Sequence, residues 1–217
     1  MVTAVTAASQ ARPGRGRRAA RPSGDDRELA ILETAERLLE DRSLAEISVD
    51  DLARGAGLSR PTFYFYFPSK DAVLLTLLER VIDEADTALQ GLIANRSADR
   101  RGIWRDGINA FFQTFGAHRA VCAATVAVKS ANSEARALWA TSMQRWIDHI
   151  AVVIEAERAA GAAPVTLPAL ELSTSLNLLN EAVMTASFAD HQPALPDHRV
   201  LDNLVHMWTT SIYGDAT

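Results

Sequence analysis

The stretch ISVDDLARGAGLSRPTFYFYFPSKDAVLL, residues 47–75, decides the fold of this chain. Ser48 precedes Val49, Asp50 and Asp51, a hydroxyl N-cap followed by carboxylates at the positive end of a helix dipole. The helix it starts is short, because Gly55 and Gly57 follow within one or two turns. Ser59 can cap the next helix, and Pro61 sits in its first turn, where the missing N–H is tolerated. Pro68 ends that helix. Ser69 then caps a long one carrying Val73, Leu74, Leu77, Leu78, Val81 and Ile82.

Upstream, Leu29, Leu32, Ala35, Leu38 and Leu39 form one apolar stripe at helical spacing. Three helices with a glycine-containing turn, Gly57-Leu58-Ser59, between the second (49–56) and the third make a helix-turn-helix. In such a unit the third helix enters the major groove of DNA and its first residues meet base edges. Ser59, Arg60 and Thr62 occupy those positions. Arg60 can fork onto a guanine, and Thr62 offers a hydroxyl to phosphate or a methyl to thymine. Tyr64 and Tyr66 carry polar tips suited to phosphate oxygens. Lys70 opens the next helix, where its charge and the helix N-terminus both suit a phosphate. Phe63 and Phe67, four apart, fit the core against Leu52, Ala53 and Leu58. Tyr64, Phe65 and Tyr66 cannot all turn inward as well, so this segment calls for a partner.

The net charge of −5 is unexpected for a DNA binder, but it is unevenly placed. Residues 1–24 contain Arg12, Arg15, Arg17, Arg18 and Arg21 and no acid, leaving −10 on the remainder. A basic arm on an acidic body fits a protein that meets nucleic acid at one end, with Arg15, Arg17 and Arg18 as its contacts. Pro13, Gly14, Gly16, Pro22, Ser23 and Gly24 argue against regular structure in the arm. No apolar run approaches the roughly 20 residues that span a bilayer, and the N-terminus lacks the apolar core of a secretory signal, so a cytoplasmic protein without membrane contact is expected. The single cysteine, Cys122, excludes an internal disulfide and a cysteine-based zinc site.

The remainder reads as helix near 101–117, 119–128, 133–159, 168–189 and 197–213, with breaks at Gly116, around 130–133, at 161–168 and at 192–196. The expected fold is all-α, about nine helices, divided into a flexible basic arm (1–24), a helix-turn-helix unit (25–70) and a helical ligand-binding and dimerisation unit (71–217). Trp104, Ile108, Phe111 and Phe115 share one helical face. Trp139, Met143, Trp146 and Ile150 share another. Asn177, Asn180, Glu181 and Met184 share a third that is otherwise apolar, where two amides and a carboxylate are costly to bury without partners. Each aromatic alone is explained by core packing. Together the stripes suggest an apolar channel with polar groups on one wall, the usual makeup of a ligand site.

Residues 47–75 resemble the DNA-binding signature of the TetR family of bacterial repressors, nearly continuously. The resemblance implies a homodimer on a partly palindromic double-stranded operator, with cooperative assembly of dimers on DNA as an extension. It implies DNA contacts at Pro61, Thr62, Tyr64, Phe65, Tyr66 and Lys70, with Tyr66 standing where the family often has histidine. It implies a channel for elongated apolar effectors lined by Trp104, Gly107, Ile108, Phe111, Phe115, Trp139, Met143, Trp146, Asn177, Asn180, Glu181, Met184 and Trp208. It implies that the last two helices, with Leu172, Leu176, Leu179, Val183, Val200, Leu201, Leu204, Val205, Trp208 and Ile212, pair across a two-fold axis. The chain departs from its relatives at His149, Ile150 and Thr185, which leaves its ligand preference open.

The function expected is a DNA-binding regulator, a repressor released by a small apolar ligand, with no cofactor and no metal. Two rivals are a thiol sensor using Cys122 and a helical enzyme. No P-loop, Gly-x-Gly-x-x-Gly, Gly-x-Ser-x-Gly or His-Glu-x-x-His motif supports an enzyme. His118, His149, His191, His198 and His206 are scattered, without carboxylates at metal-ligand spacing.

Overall fold

A computed structural model describes residues 23–94, 100–189 and 192–214, so Arg15, Arg17, Arg18 and His191 lie outside the described residues. The described residues form nine helices and no strand: α1 (Gly24–Leu39), α2 (Val49–Gly55), α3 (Arg60–Tyr66), α4 (Lys70–Ala94), α5 (Arg100–Ala117), α6 (Arg119–Lys129), α7 (Ser133–Ala159), α8 (Ala169–Phe188) and α9 (Asp197–Tyr213).

Order begins earlier than expected. Ser23 and Gly24, read as breakers, start α1. Ser23 Oγ accepts from the Asp26 N–H, and the Asp26 carboxylate accepts from the Ser23 N–H at 2.7 Å. This reciprocal box satisfies two of the donors that a helix start leaves open. Gly116 also breaks nothing. It lies inside α5, which runs to Ala117, and a Cβ there would meet the Phe188 ring at 3.4 Å. The small residue serves the contact between α5 and α8.

Helix α4, about 38 Å long at 1.5 Å per residue, joins the two halves. Its stripe of Val73, Leu74, Leu77, Leu78, Val81 and Ile82 is buried. Near its start it packs on α1, and further along on α5, α6 and α7. One continuous apolar cluster therefore runs from Ile31 and Phe63 through α4 to Trp146, Leu176 and Ile212. Helices α7 and α8 form an extensive antiparallel pair, and α9 packs on α5 and α8. Among the described residues no helix is long and apolar enough to cross a membrane.

Candidate functional site

The helix-turn-helix is built by local capping. Ser48 Oγ accepts from the Asp51 N–H at 3.1 Å, and Asp51 returns the bond to the Ser48 N–H at 3.0 Å. The Ser48 hydroxyl also donates to the Asp51 carboxylate at 2.7 Å, and this bond first, then those from the Ser48 N–H and from Arg42 beside it, hold the Asp51 carboxyl well below the usual carboxylate range. Gly57 adopts φ 69°, the left-handed conformation that lets the chain reverse between α2 and α3. Ser59 caps α3, accepting from the Thr62 N–H at 3.3 Å and bonding the Thr62 hydroxyl at 2.8 Å.

The aromatic run divides as its periodicity requires. Phe63 and Phe67 are buried in the cluster with Leu52 and Ala53, with Leu58 packed on it. Phe65 is 81% exposed and Tyr64 46%. Tyr66 is half-buried against the core, its hydroxyl near Gly24 at the start of α1. Arg60 is exposed but held: its guanidinium pairs with Asp50 at 3.0 Å and lies over the Tyr64 ring, 5.8 Å from the centroid. Its first-turn position sets a cation at the positive end of the helix, and Asp50 offsets that charge.

Lys70 has a different role from the phosphate anchor read from sequence. Its Nζ donates to the carbonyls of Leu44 at 2.6 Å, Ala45 at 3.1 Å and Ile47 at 2.9 Å. An ammonium has three donors, and all three are engaged by the loop between α1 and α2. That loop's carbonyls lack helical partners and must find donors elsewhere. The Lys70 side chain thus ties the loop between α1 and α2 to the start of α4. The N-terminus of α4 remains beside it.

Behind the reader, α4 through α8 enclose a cavity of about 700 Å³, its open mouth included. Phe111 and Phe115 enter from α5, Trp139, Met143 and Trp146 from α7, and Asn177, Asn180, Glu181 and Met184 from α8. These nine predicted residues are brought together. The rings interlock: Phe111 meets Trp146 edge-on at 4.8 Å, and Trp139 meets Phe115 at 5.8 Å and Trp146 at 6.0 Å.

Trp104, Gly107, Ile108 and Trp208 do not line this space. Trp104 and Trp208 pack on each other at 5.5 Å in the α5–α9 seam, and Trp104 Nε1 donates to the Tyr213 hydroxyl. Ile108 is buried in the core, and Gly107 faces Leu89 of α4. The stripe from Trp104 to Phe115 spans about 16 Å of helix. Only its C-terminal half reaches the cavity, because α9 covers the other half.

The polar wall is satisfied by one partner a turn away and others far along the chain. Asn177 donates to the Ser173 carbonyl at 2.9 Å, Trp208 Nε1 donates to Asn180 at 2.9 Å, and Lys129 pairs with Glu181 at 2.7 Å. Trp146 Nε1 donates to Asp86 at 2.7 Å. Trp139 Nε1 is buried without an acceptor among the described residues, while Lys129 Nζ stands 5.6 Å from the centroid of its ring.

Residues missed from sequence are Leu78, Cys122, Thr125, Val126, Lys129 and Phe188, while Thr185, noted as a departure that bears on ligand preference, also lines the space. A signal existed: Cys122, Thr125, Val126 and Lys129 fall at i, i+3, i+4 and i+7, one face of α6. Burial pushes the Cys122 thiol up to about 12, and its Sγ donates to the Phe115 carbonyl. A thiol that stays protonated is a poor nucleophile, which argues against the redox-sensing alternative. The described residues contain no group of three or more ligating side chains able to hold a metal.

Both halves match known families. A model for bacterial regulatory proteins of the tetR family matches residues 31–77, and a model for the C-terminal domain of the transcriptional regulator EthR matches residues 104–214. The chain belongs to the TetR family of bacterial transcriptional regulators. Within that family it is EthR-like. It is 65% identical over 212 residues to the HTH-type transcriptional regulator EthR of Mycobacterium tuberculosis H37Rv, covering 97% of this chain and 98% of that protein. It is 53% identical to the EthR of Mycolicibacterium smegmatis, covering 97% of each. Among solved structures, a transcriptional regulator from Saccharomonospora viridis in complex with choline superposes with a TM-score of 0.73 at 25% identity, covering 87% of this chain and 98% of that one. The relatives carry the names of regulators, and this chain is a DNA-binding regulator rather than an enzyme.

Proposed function

We propose that the protein is a homodimeric repressor that reads a partly palindromic operator and leaves it when an elongated apolar effector fills the cavity between α5 and α8. The observation that carries this reading is the cavity itself: five aromatic side chains and Met143 around a space with few polar groups, in a body joined through α4 and α6 to the reader. On the DNA side, Ser59, Arg60, Pro61 and Thr62 would meet base edges, and Tyr64, Phe65 and Tyr66 the backbone. The N-terminus of α4, rather than the Lys70 ammonium, would meet a phosphate. The arm with Arg15, Arg17 and Arg18 would add salt-sensitive contacts. The reader, residues 25–70, and the body, 71–217, act as the functional division, in the cytoplasm.

The dimer face we propose uses other residues of the same two helices than most of those expected from sequence. Leu172, Leu176, Val200, Leu204, Trp208 and Ile212 are buried within one chain. The face of α8 and α9 left open carries Leu170, Leu178 and Met207, each about half exposed. Pairing these helices with a second copy would cover them and set two recognition helices about one DNA turn apart, roughly 34 Å.

The test is operator binding by fluorescence anisotropy, with the DNA flanking the protein's own gene as probe. Elongated apolar molecules graded in length are added, and tryptophan quenching by Trp139 and Trp146 reports occupancy. The reading requires that molecules which quench also weaken operator binding at least fivefold. Quenching with unchanged operator affinity would remove it.

A further inference from the structure

His118 stands just before α6, and no side chain caps that helix start. Its ring lies between two other helices. Nδ1 meets Glu36 Oε1 of α1, and Nε2 lies 3.3 Å from Glu84 Oε2 of α4. A neutral imidazole has one N–H and would turn a lone pair toward the second carboxylate. Only the imidazolium donates from both nitrogens, so this geometry calls for the protonated ring.

We propose that protonated His118 is a latch that holds α1 of the DNA reader to α4 and α6 of the cavity-bearing body, so that operator affinity falls when the proton leaves. The proposal rests on the DNA-reading function given above.

The latch sits where it can couple the two halves. Cys122, Thr125 and Lys129 of α6 line the cavity, and His118 grips the reader from the N-terminal end of that helix. A cleft lined by Leu29, Glu33, Arg80 and the latch residues opens beside the ring, giving protons a path. The charged groups around it are acidic on balance. Glu33 and Glu36 face it from α1, and Glu84 and Arg80 from α4, with Arg80 drawn toward Glu28 at 4.0 Å. Arg119, next in the chain, is paired with Asp197. Cys122, one turn on, remains a neutral thiol at physiological pH.

Burial is the largest single influence on the ring and disfavours its charge. The hydrogen bond and charge of Glu36, then those of Glu84, outweigh it and hold His118 above the ordinary histidine value. A raised value fixes the sign. The latch is fully closed below the ordinary histidine value, about 6.5, and opens as pH rises through the raised one. Once open, α1 gains freedom that DNA binding must remove again, and that ordering weakens the complex.

The experiment uses the full-length protein and the flanking-DNA probe in anisotropy from pH 5.5 to 8.5 at fixed ionic strength. Wild type, His118→Gln and Glu36→Gln are compared, with histidine NMR and amide hydrogen exchange on the same samples. Wild-type affinity is expected to fall by about threefold to tenfold more than that of His118→Gln, as for a pKa change of up to one unit between free and bound protein. Glu36→Gln should move the step to lower pH, which loss of packing alone would not do. Amides of α1 should exchange faster above the His118 midpoint. Equal pH slopes in wild type and both variants, or a His118 midpoint at or below the ordinary value, would overturn the latch. If no DNA binds at any pH while the α1 amides still loosen with His118, the DNA-reading proposal fails and the clamp on α1 stands. Should His118→Gln not fold, Glu36→Gln and Glu84→Gln carry the comparison.

Discussion

Replacing Lys70 by methionine separates a scaffold from a phosphate anchor. Methionine keeps most of the apolar stem and removes the ammonium. Three carbonyls then lose the ammonium, those of Leu44, Ala45 and Ile47, and of these Leu44 keeps a second donor, the Ile47 N–H at 3.3 Å. A hydrogen bond to a charged group contributes about 1.5–3 kcal/mol. Leu44 and Ile47 are buried while Ala45 is exposed, so water replaces the third bond easily. Two effective bonds, discounted for non-additivity, give a loss of about 2–4 kcal/mol. For a chain of this size that lowers the melting temperature by about 5–10 °C. The assay pairs thermal unfolding, at one fixed protomer concentration, with operator affinity measured against salt. A scaffold role leaves the slope of log affinity on log salt unchanged. A phosphate contact by the ammonium would flatten it by about 0.9 per protomer, because one condensed counterion fewer is released. A variant of wild-type stability with a flattened slope would refute the reading of Lys70 as a loop clamp.

Other perturbations follow from the same geometry. Thr185→Trp places a large ring in the cavity from α8 and stands in for the effector; operator affinity should fall at least fivefold without any added molecule, and the quenching molecules should weaken it little further, checked by anisotropy with and without them. Gly57→Ala should destabilise by about 1–2 kcal/mol through the positive φ alone, since no atom lies within 4 Å of the added Cβ, and Gly57→Asn should recover part of that in urea unfolding. Ser59→Ala removes the α3 cap and should lower stability by about 1 kcal/mol, with a matching loss of operator affinity on titration. The Asp51 carboxyl is depressed by Ser48 and then by Arg42, so its contribution is present above the unfolded value, about 3.9, and fades as pH falls further. Asp51→Asn should therefore flatten the fall in melting temperature between pH 5 and 3.

What could be read from the sequence depends on how far away each residue's partner lies. Ser48, Asp51, Ser59 and Thr62 were legible because a cap bonds three residues on, and the chain itself supplies that distance. Phe63 and Phe67 were legible because one apolar turn faces one core. Ser23 was misread for a related reason: its neighbours Pro22 and Gly24 favour a turn, yet the reciprocal bond with Asp26 starts a helix. Lys70 was misread because its acceptors lie 23 to 26 residues away, in a loop whose position only the folded chain defines. The stripe on α5 shows the same limit. Periodicity placed Trp104 and Phe115 on one face correctly, but the cover that α9 gives the first half is a tertiary fact. On α6 the pattern was present and went unused: Cys122, Thr125, Val126 and Lys129 share one face, but only the fold gives the Lys129 charge its half-buried partner, Glu181, 52 residues on. His118 is the extreme case, with its carboxylates 82 and 34 residues away. A polar side chain whose partner is local declares its role in the sequence. One whose partner is distant declares only that it needs one.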